Sequence, residues 1–584
     1  MKLFEKFRVK ADEAAAALPI GEAELSMAME LLRRYKAGKA NLDRRIIENE
    51  QWWKLRHWDY MEKPTTDLKT KSAWLVNMIL AKHADAMDCY PEPCFLPRAQ
   101  DDEAEAKMLS SIVPVILQQN DFEAVWSDNW WKKLKAGAGI YGVFWDHSKL
   151  NGLGDIAITK IDPLNLYWEP GVTDLQRSKH LFHVELADTE LLQQQYPQLV
   201  GKLSGKAFSS ARYLYDDAVD ISGKTPVIDW YYHKLSDGRS TLQYVKFAGD
   251  TVLYATENDP ETAARGLYDH GQYPFVADVM FPEEGTPLGF SYIDLCKDPQ
   301  RQIDLMNTAI VSNCIAAATP RYLVRGDGGI NEDEYADLTR TFVHVQGSLD
   351  EAALRQITVS PLSGIYLNIL SSKIGEMKET TGNRDVSNGG TPTGVTAASA
   401  IAAMQEQSGK LSRDQIQNSY RCYRKVNELV IELLRQFYTV PRQFRITGEL
   451  GCRSFVTFDN TGLSGCPQGT DFGQDMGLRA PLFDIEITSQ KQSAYTKLSA
   501  NELALQLFQL GFFNPALANQ ALPCLQMMDF KGREEMMQAI SEAVPAMPQE
   551  TGTPNAVRAM PAGKQANWME QARENARAAT RPRQ

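Results

Sequence analysis

The chain has 584 residues, of which 43% are hydrophobic and 23% are charged, and its formal net charge at pH 7 is −12. This composition excludes global disorder, and the length is sufficient for several domain-sized units with a large buried core. The acidic total excludes a broad basic groove as the means of holding nucleic acid, because most of such a surface repels phosphate.

The first residues, MKLFEKFRVKADEAAAALP, carry a charge every few positions, so we expect no secretory signal peptide and a cytosolic protein. The longest uncharged stretch runs from Leu503 to Met528. Glutamines, asparagines and two prolines interrupt it, which favours amphipathic helices over a membrane span.

Eight cysteines are scattered along the chain without the paired CxxC spacing of a structural zinc site, which predicts mostly buried thiols. His83, Cys89 and Cys94 are conceivable metal ligands. The intervening YPEP favours a simple loop instead.

Apolar residues at helical spacing predict that the N-terminal part is mainly helical. We expect one helix over residues 22–61, closed by Pro64, and another from about Asp67 to the CYPEPCFLP segment, which breaks it. A third helix begins at DDEAEAK and continues to about Lys135.

The pattern changes at Gly137, where short β-branched and aromatic segments separated by Gly, Asp and Pro predict antiparallel strands as far as TVLYAT. A helical excursion is expected near residues 188–215. Aromatic side chains in such strands can stack on nucleic-acid bases. Their alternation with polar residues favours a strand face packed on a core.

A helix is predicted with Asp298 as its N-cap and Pro299 at its first position, ending before Pro320. Residues 320–360 predict a strand, a turn, a short helix and two more strands. A second helix follows from Pro361 to Gly382, and its apolar side carries Ile365, Ile369, Leu370, Ile374 and Met377. Two helices that flank a small αβ unit predict a helical hairpin with a knob at its tip.

Three aspartates of this region, Asp294, Asp298 and Asp304, are candidate ligands of a catalytic metal. Metal-dependent hydrolysis requires carboxylates that converge on a water-accessible cleft. Here one aspartate is the predicted helix cap and the others fit a solvated helix face, so a metal-dependent enzyme acting on nucleic acid is the weaker alternative.

Residues 385–407 read DVSNGGTPTGVTAASAIAAMQEQ, a loop of small and polar residues that runs into an Ala-rich helix. A phosphate-binding P-loop requires GxxxxGK[ST], and no such lysine follows Gly394. The dinucleotide fingerprint, GxSxG and HExxH are also missing from the sequence, which predicts a protein without cofactor, metal or catalytic residues.

The longest helical pattern runs from Thr396 to Tyr438, and strands are predicted at QFRIT, SFVTF and LFDIEIT. Helices are expected over about 493–543. Residues 546–584 are rich in Pro, Gly, Ala, Gln and Arg, with six basic and three acidic residues, which predicts a mobile basic tail.

Taken in order, these segments resemble the portal proteins of tailed bacteriophages and related viruses, from roughly residue 40 to 545. The resemblance is carried by GTPLGFSYIDLCKDPQRQIDLMN, by the helix, insert and helix of 290–383, and by TPTGVTAASAIAAMQEQSG. It implies an α+β fold and a ring, usually of twelve subunits, at one capsid vertex.

The resemblance also implies a division of the chain into named parts. These are a wing at 1–289, a first stem helix at 290–318, a clip at 319–361, a second stem helix at 362–383, a tunnel loop at 384–396, a long wing helix with strands at 397–490, a crown at 491–545 and the basic tail at 546–584.

The tunnel loop of portal proteins faces moving double-stranded DNA, so the resemblance gives this part DNA-facing residues. These residues are Arg384, Ser387, Asn388, Gly389, Gly390, Thr391 and Thr393. Lys373 and Lys378 are candidates for basic positions along the channel, with ordinary solvated helix charges as the alternative. Arg573, Arg577, Arg581 and Arg583 are candidates for tail contacts with packaged DNA.

The implied function is a non-enzymatic conduit for DNA packaging and ejection, located in the virion after assembly in the host cytoplasm. The implied partners are the terminase large subunit, head–tail connector or adaptor proteins, and the major capsid and scaffolding proteins, without a membrane. The alternatives are a metal-dependent nucleic-acid enzyme and a non-viral helical scaffold protein that forms no closed ring.

Overall fold

The computed structural model divides the chain into two compact units, Met1–Lys491 and Gln492–Gln584. It describes residues 19–61, 68–201, 208–215, 223–236, 238–319, 321–324, 333–334, 354–357, 363–382, 410–447, 453–467, 470–471, 474–475, 478–489, and 506, 509 and 525. Of the predicted helices of 493–543, the structure describes residues 506, 509 and 525, and the predicted tail of 546–584 lies outside the described residues.

The first unit contains both α-helices and strands. The α-helices described in it are, in chain order, α1 (Glu22–Trp53), α2 (Trp74–Asp88), α3 (Glu103–Gln119), α4 (Phe122–Ala136), α5 (Thr189–Gln195), α6 (Tyr292–Ala318), α7 (Ile365–Thr381) and α8 (Lys410–Phe437). None of the described helices is both long enough and apolar enough to cross a membrane.

Three N-terminal boundaries differ from the sequence prediction. Helix α1 ends at Trp53, well before Pro64, and α2 begins at Trp74 rather than at Asp67. The single helix expected up to Lys135 is two helices, because Asp121 adopts the left-handed conformation with φ 49° between α3 and α4. The prediction of a mainly helical N-terminal part is nevertheless confirmed.

All strand pairs in the described part of the chain are antiparallel. One sheet has the order β4-β5-β6-β7-β8, a second has the order β3-β2-β9, and two-stranded ribbons are formed by β1-β18, β10-β11, β12-β13, β14-β17 and β15-β16. The strands are β1 (Pro91–Pro97), β2 (Ala138–Asp146), β3 (Asp155–Ile161), β4 (Leu166–Trp168), β5 (His180–Asp188), β6 (Lys224–Ser236), β7 (Arg239–Ala248), β8 (Thr251–Ala255), β9 (Phe275–Val279), β10 (Arg321–Val324), β11 (Leu354–Ile357), β12 (Arg442–Thr447), β13 (Arg453–Phe458), β14 (Cys466–Pro467), β15 (Thr470–Asp471), β16 (Gln474–Asp475), β17 (Leu478–Arg479) and β18 (Phe483–Ser489). The mixture of helices with antiparallel sheets confirms the α+β class.

The CYPEPCFLP segment is a strand, and the prediction of a simple loop is wrong. Strand β1 pairs with β18 in the register Pro91↔Ser489 to Pro97↔Phe483, and Phe95 is buried where β1 packs on α3. Proline is tolerated there because a two-stranded ribbon leaves one side of each strand free of ladder hydrogen bonds.

Most aromatic residues of the β-rich region are core residues, although Tyr254 of β8 is exposed. Trp230 and Phe247 of the larger sheet are buried, and α1 covers this face through Tyr35, whose ring lies 5.9 Å from that of Phe182. A buried ring cannot stack on a nucleic-acid base. Packing on a core, favoured by the alternation in sequence, is therefore confirmed.

A second and larger core surrounds the C-terminal half of α8. Tyr423, Val430 and Leu434 of this helix are buried together with Trp126 of α4 and Tyr141 of β2. Helix α8 is thereby fixed against both the N-terminal helices and the β2-β9 part of the smaller sheet.

Candidate functional site: a helical hairpin with a buried polar base

Helices α6 and α7 pack against each other, and β10 and β11 pair between them in the chain. We call α6, β10, β11 and α7 the hairpin. The predicted short helix of the insert is described only at residues 333–334, and the predicted strand TFVHVQ lies outside the described residues.

Helix α6 begins earlier than predicted because its cap is Ser291. The Ser291 hydroxyl accepts a hydrogen bond from the Asp294 amide (3.2 Å), and the Asp294 carboxylate accepts one from the Ser291 amide (2.9 Å). This reciprocal capping box starts the helix at Tyr292. The prediction that Asp298 is the N-cap is wrong, since Asp298 is an exposed residue within the helix and Pro299 is buried inside it.

The base of α6 is held by a fully buried carboxylate. Asp304 Oδ2 accepts hydrogen bonds from His57 Nε2 (2.8 Å) and Gln300 Nε2 (2.9 Å), and Oδ1 accepts from the amide (2.8 Å) and the hydroxyl of Ser72. The side chains of Asp304 and His57 are both 0% exposed. The prediction that Asp304 belongs to a solvated helix face is therefore wrong.

A second group of contacts extends this base. The Thr70 hydroxyl donates to the Asp304 carbonyl (3.1 Å) and lies 2.7 Å from the Thr308 hydroxyl, while the His57 ring stacks on Trp52 at 4.7 Å. The chain between α1 and α2 is therefore fastened to α6. Sequence reasoning missed this network, although polar residues at 300, 304 and 308 recur at the four-residue interval of one helix face.

The three candidate metal ligands do not form a metal site. Asp294 is part of the helix cap, Asp304 has its two oxygens occupied by protein donors, and Asp298 is exposed. No group of three His, Cys, Asp or Glu residues in the described part of the chain is arranged to hold a metal ion.

The parts of α6 and α7 that are remote from this base are uncharged and carry exposed apolar side chains. Residues 305–318 of α6 and 365–372 of α7 contain no charged residue. On α6, Val311 is 38% exposed and Ile315 is 51% exposed. On α7, Ile365 and Leu367 are each 58% exposed. An apolar surface of this kind usually marks a contact with another protein chain.

The predicted apolar side of α7 is only partly buried. Met377 is fully buried, and Leu370 and Ile374 pack against the core, but Ile365 and Ile369 are exposed. Helix α7 ends at Gly382, which adopts the left-handed conformation with φ 65°. Such a C-terminal glycine satisfies the last helical carbonyls without strain, as the predicted end at Gly382 implies.

The two candidate channel lysines lie on α7. Lys373 Nζ pairs with Glu376 at 2.7 Å, and Lys378 Nζ lies 5.8 Å from the ring centroid of Trp74. The predicted loop residues Arg384, Ser387, Asn388, Gly389, Gly390, Thr391 and Thr393 lie outside the described residues, and so do Arg573, Arg577, Arg581 and Arg583.

Helix α8, which follows the predicted loop, is fixed by two similar polar bridges. The Ser412 hydroxyl accepts from Lys82 Nζ (2.7 Å) and donates to Asp85 (2.7 Å). Burial lowers the pKa of Lys82, against the opposing charge of Asp85.

The second bridge repeats this arrangement two helical turns further along α8. The Ser419 hydroxyl accepts from Lys133 Nζ (2.7 Å) and donates to Asp278 (2.6 Å), and Lys133 also pairs with Asp278 at 2.7 Å. Because both serines lie on one helix face, the two bridges specify the axial position of α8. Lysines within the apolar patterns of α2 and α4 are the signal in the sequence that could have revealed these bridges.

The cysteines agree only in part with the predicted buried thiols. Cys296 is buried, which raises its pKa to about 12, and burial also raises the pKa of Cys422. Cys94 and Cys314 are exposed, so the prediction is wrong for these two.

His83 does not act as a metal ligand with Cys89 and Cys94. Its ring stacks on Trp131 at a centroid distance of 3.8 Å, and its Nε2 lies 3.1 Å from the Ser127 hydroxyl. These contacts show that His83 is a side chain packed between neighbouring residues.

A helical pair with a buried polar base and exposed apolar side chains at its other end is typical of a protein that makes contacts with other chains. Residues 239–584, more than half of the chain, match the family described as phage P22-like portal protein. The chain therefore belongs to the P22-like portal protein family of bacteriophages. A search of curated proteins found no match.

Membership has direct consequences for the type of protein. The family is structural and non-enzymatic, and it implies a place at a vertex of the virion capsid. The family match favours a portal protein over the two alternative interpretations, a nucleic-acid enzyme and a non-viral scaffold protein.

Proposed function

We propose that copies of this chain close into a ring of twelve subunits whose axial channel conducts double-stranded DNA during packaging and ejection. The observation that carries this proposal is the uncharged stretch of exposed apolar side chains on α6 and α7. Neighbouring hairpins in a ring would cover these side chains, and burial of one isoleucine or leucine contributes about 1.5–3 kcal/mol. Repetition around a closed ring satisfies every subunit equally.

The proposed parts of the chain follow the family arrangement. The wing comprises residues 1–289 and 397–490, the stem helices 290–318 and 362–383, the clip 319–361, the tunnel loop 384–396, the crown 491–545 and the tail 546–584. Helices α6 and α7 then serve as the stem, and their buried base joins the stem to the wing.

In this proposal the tunnel loop contacts passing DNA without retaining it. Glycine, serine, threonine and asparagine give a short-sided backbone that adapts to the duplex, and the loop has Arg384 as its nearby cation. The acidic charge of the whole chain opposes condensation of DNA on the channel wall. Lys373 and Lys378 are proposed to add weak local attraction, and the tail arginines to contact packaged DNA.

The partners follow from the same proposal. The sequence carries no P-loop motif, so the force for packaging comes from a terminase ATPase that docks on the ring. Head–tail connector proteins bind the clip after packaging, and the capsid and scaffolding proteins surround the wing. Assembly takes place in the host cytoplasm.

The test is a charge placed on the apolar end of the hairpin. We expect Ile315→Asp combined with Leu367→Asp to abolish rings in negative-stain images and to leave monomers by light scattering, because each carboxylate would be buried between subunits. The matched control is Leu235→Asp, which changes the still more exposed leucine (76%) at the tip of the β6-β7 hairpin.

The control variant should form rings like the wild type. Rings of normal size from the double variant, or a wild-type protein that remains monomeric at every concentration, would contradict the proposal. Circular dichroism shows whether a variant has lost its fold or only its assembly. We expect the fold to be kept, because Ile315, Leu367 and Leu235 are already exposed in the single chain.

A further inference from the structure

The middle part of α1 presents a basic outward face, although the chain as a whole has a net charge of −12. Arg33, Ala37, Ala40 and Arg44 follow one another along this face at intervals of three or four residues, and all four are exposed. Neither Arg33 nor Arg44 forms an ion pair within the part of the chain that the structure describes. The surface around these two guanidinium groups is therefore positively charged, whereas the whole chain has a net charge of −12.

A cleft of about 270 Å³ opens on this face. Its floor is apolar and consists of Ala40, Ile47 and Ala211. Its rim carries Lys36 and Arg44 together with Tyr60, which is 45% exposed. The cleft therefore combines an apolar pocket with two cations at its edge.

The acidic group beside the cleft is already neutralised. Asp43 also lines it, but this carboxylate pairs with the buried Lys39 at 3.0 Å. Lys36 is held by the Ser209 carbonyl and lies 5.1 Å from the ring centroid of Phe208, and Asp43 acts on it through charge without pairing with it. Glu48 and Asp59 lie near the Tyr60 side of the rim, and Glu48 pairs with Lys297 at 3.0 Å. The other side of the rim therefore keeps two cations, Lys36 and Arg44, that form no ion pair within the described part of the chain.

We propose that this cleft docks an acidic segment of a protein partner that carries one bulky apolar side chain between carboxylates. The apolar side chain fills the pocket over Ala40, Ile47 and Ala211, and the flanking carboxylates pair with Lys36 and Arg44. A nucleic-acid backbone would satisfy the cations but would leave the apolar floor unfilled. The proposal does not depend on ring formation.

The test uses two alanines on the same face of α1. Glutamate-rich peptides with one central leucine, phenylalanine or tyrosine, and a peptide with alanine at that position, are titrated against the full chain by fluorescence anisotropy. We expect at least one apolar peptide to bind about tenfold more tightly than the alanine peptide. Ala40→Phe, which fills the cleft, should remove this advantage, whereas Ala37→Phe, one turn away, should retain it.

Charge is tested separately. Arg44→Gln should weaken binding of the apolar peptide and make this binding less dependent on salt, since one ion pair is lost. Arg98→Gln makes the same charge change at a residue paired with Asp484 and should have no effect. A short DNA duplex serves as the second probe. Equal binding of all peptides would overturn the proposal and show that there is no such site. Tight binding of the duplex that is weakened by Arg44→Gln but not by Ala40→Phe would also overturn it, and would identify a phosphate-binding surface instead.

Discussion

At the scale of single residues, Asp304 decides how the hairpin is attached. Its carboxylate receives hydrogen bonds from a histidine and a serine of the segment between α1 and α2 and from a glutamine of α6 itself, and it is fully buried. A carboxylate accepts but cannot donate, so one side chain satisfies all these donors at once. The geometry makes this residue more sensitive to substitution than its exposed neighbours on α6.

We therefore expect Asp304→Asn to destabilise the protein by about 2–4 kcal/mol, because the amide group would face donors and leave a buried hydrogen bond unmade. Urea unfolding followed by tryptophan fluorescence measures the change. Asp298→Asn, on the same helix but exposed, should stay within about 0.5 kcal/mol of the wild type. Equal effects of the two substitutions would show that the network adds no stability.

At the scale of elements, α7 and α8 are both fixed on the two sides of residues 383–409, which contain the predicted tunnel loop. Thr381 and Met377 of α7 are buried, and Ser412 and Ser419 hold α8 to α2, α4 and β9. Under the proposed function, the loop between these two fixed elements is expected to serve the channel rather than the core.

Deletion of Asn388 to Thr393 is accordingly expected to leave ring assembly intact and to impair DNA packaging or retention. Ring formation is checked by negative-stain imaging, and packaging by nuclease-protected DNA in assembled particles. Replacement of the same residues by an equally long glycine–serine segment should restore packaging, since an uncharged flexible backbone is the proposed requirement. Loss of the ring on deletion would instead identify this segment as a structural joint.

At the scale of the whole molecule, folding buries several histidines in the neutral form. Burial lowers the pKa of His180 and of His270 to about 4, from an ordinary value of 6.5, and it also lowers the pKa of His83 and His233. The unfolded chain then binds more protons than the folded chain between about pH 6.5 and pH 4. The free energy of unfolding therefore carries no penalty from these histidines above pH 6.5, and it falls as the pH is lowered from 6.5 towards 4.

The contribution of His270 can be isolated. Its Nδ1 accepts a hydrogen bond from the Gln272 amide (3.0 Å), which Asn is able to imitate. We expect the loss of stability between pH 7 and pH 5 to be smaller by about 2 kcal/mol in His270→Asn than in the wild type. The free energy of unfolding in urea at the two pH values gives the answer, and an unchanged difference would contradict the assignment.

The sequence alone determined the α+β class, the family resemblance and much of the order of the elements, but not strand β1 or the break between α3 and α4. Helical and alternating patterns are local, so the strands after Gly137, the helix ending at Gly382 and the pattern of α8 could be read directly. The family match over residues 239–584 confirms the resemblance to portal proteins.

Tertiary structure alone decided which polar residues are buried and which apolar residues are exposed. Strand β1 required a partner almost at the other end of the first unit, and Asp304 required donors from the segment between α1 and α2. Likewise, Ile365 and Ile369 resemble core residues in sequence but lie at the surface of the single chain. The physical reason is that burial depends on contacts between distant segments, which local periodicity does not encode.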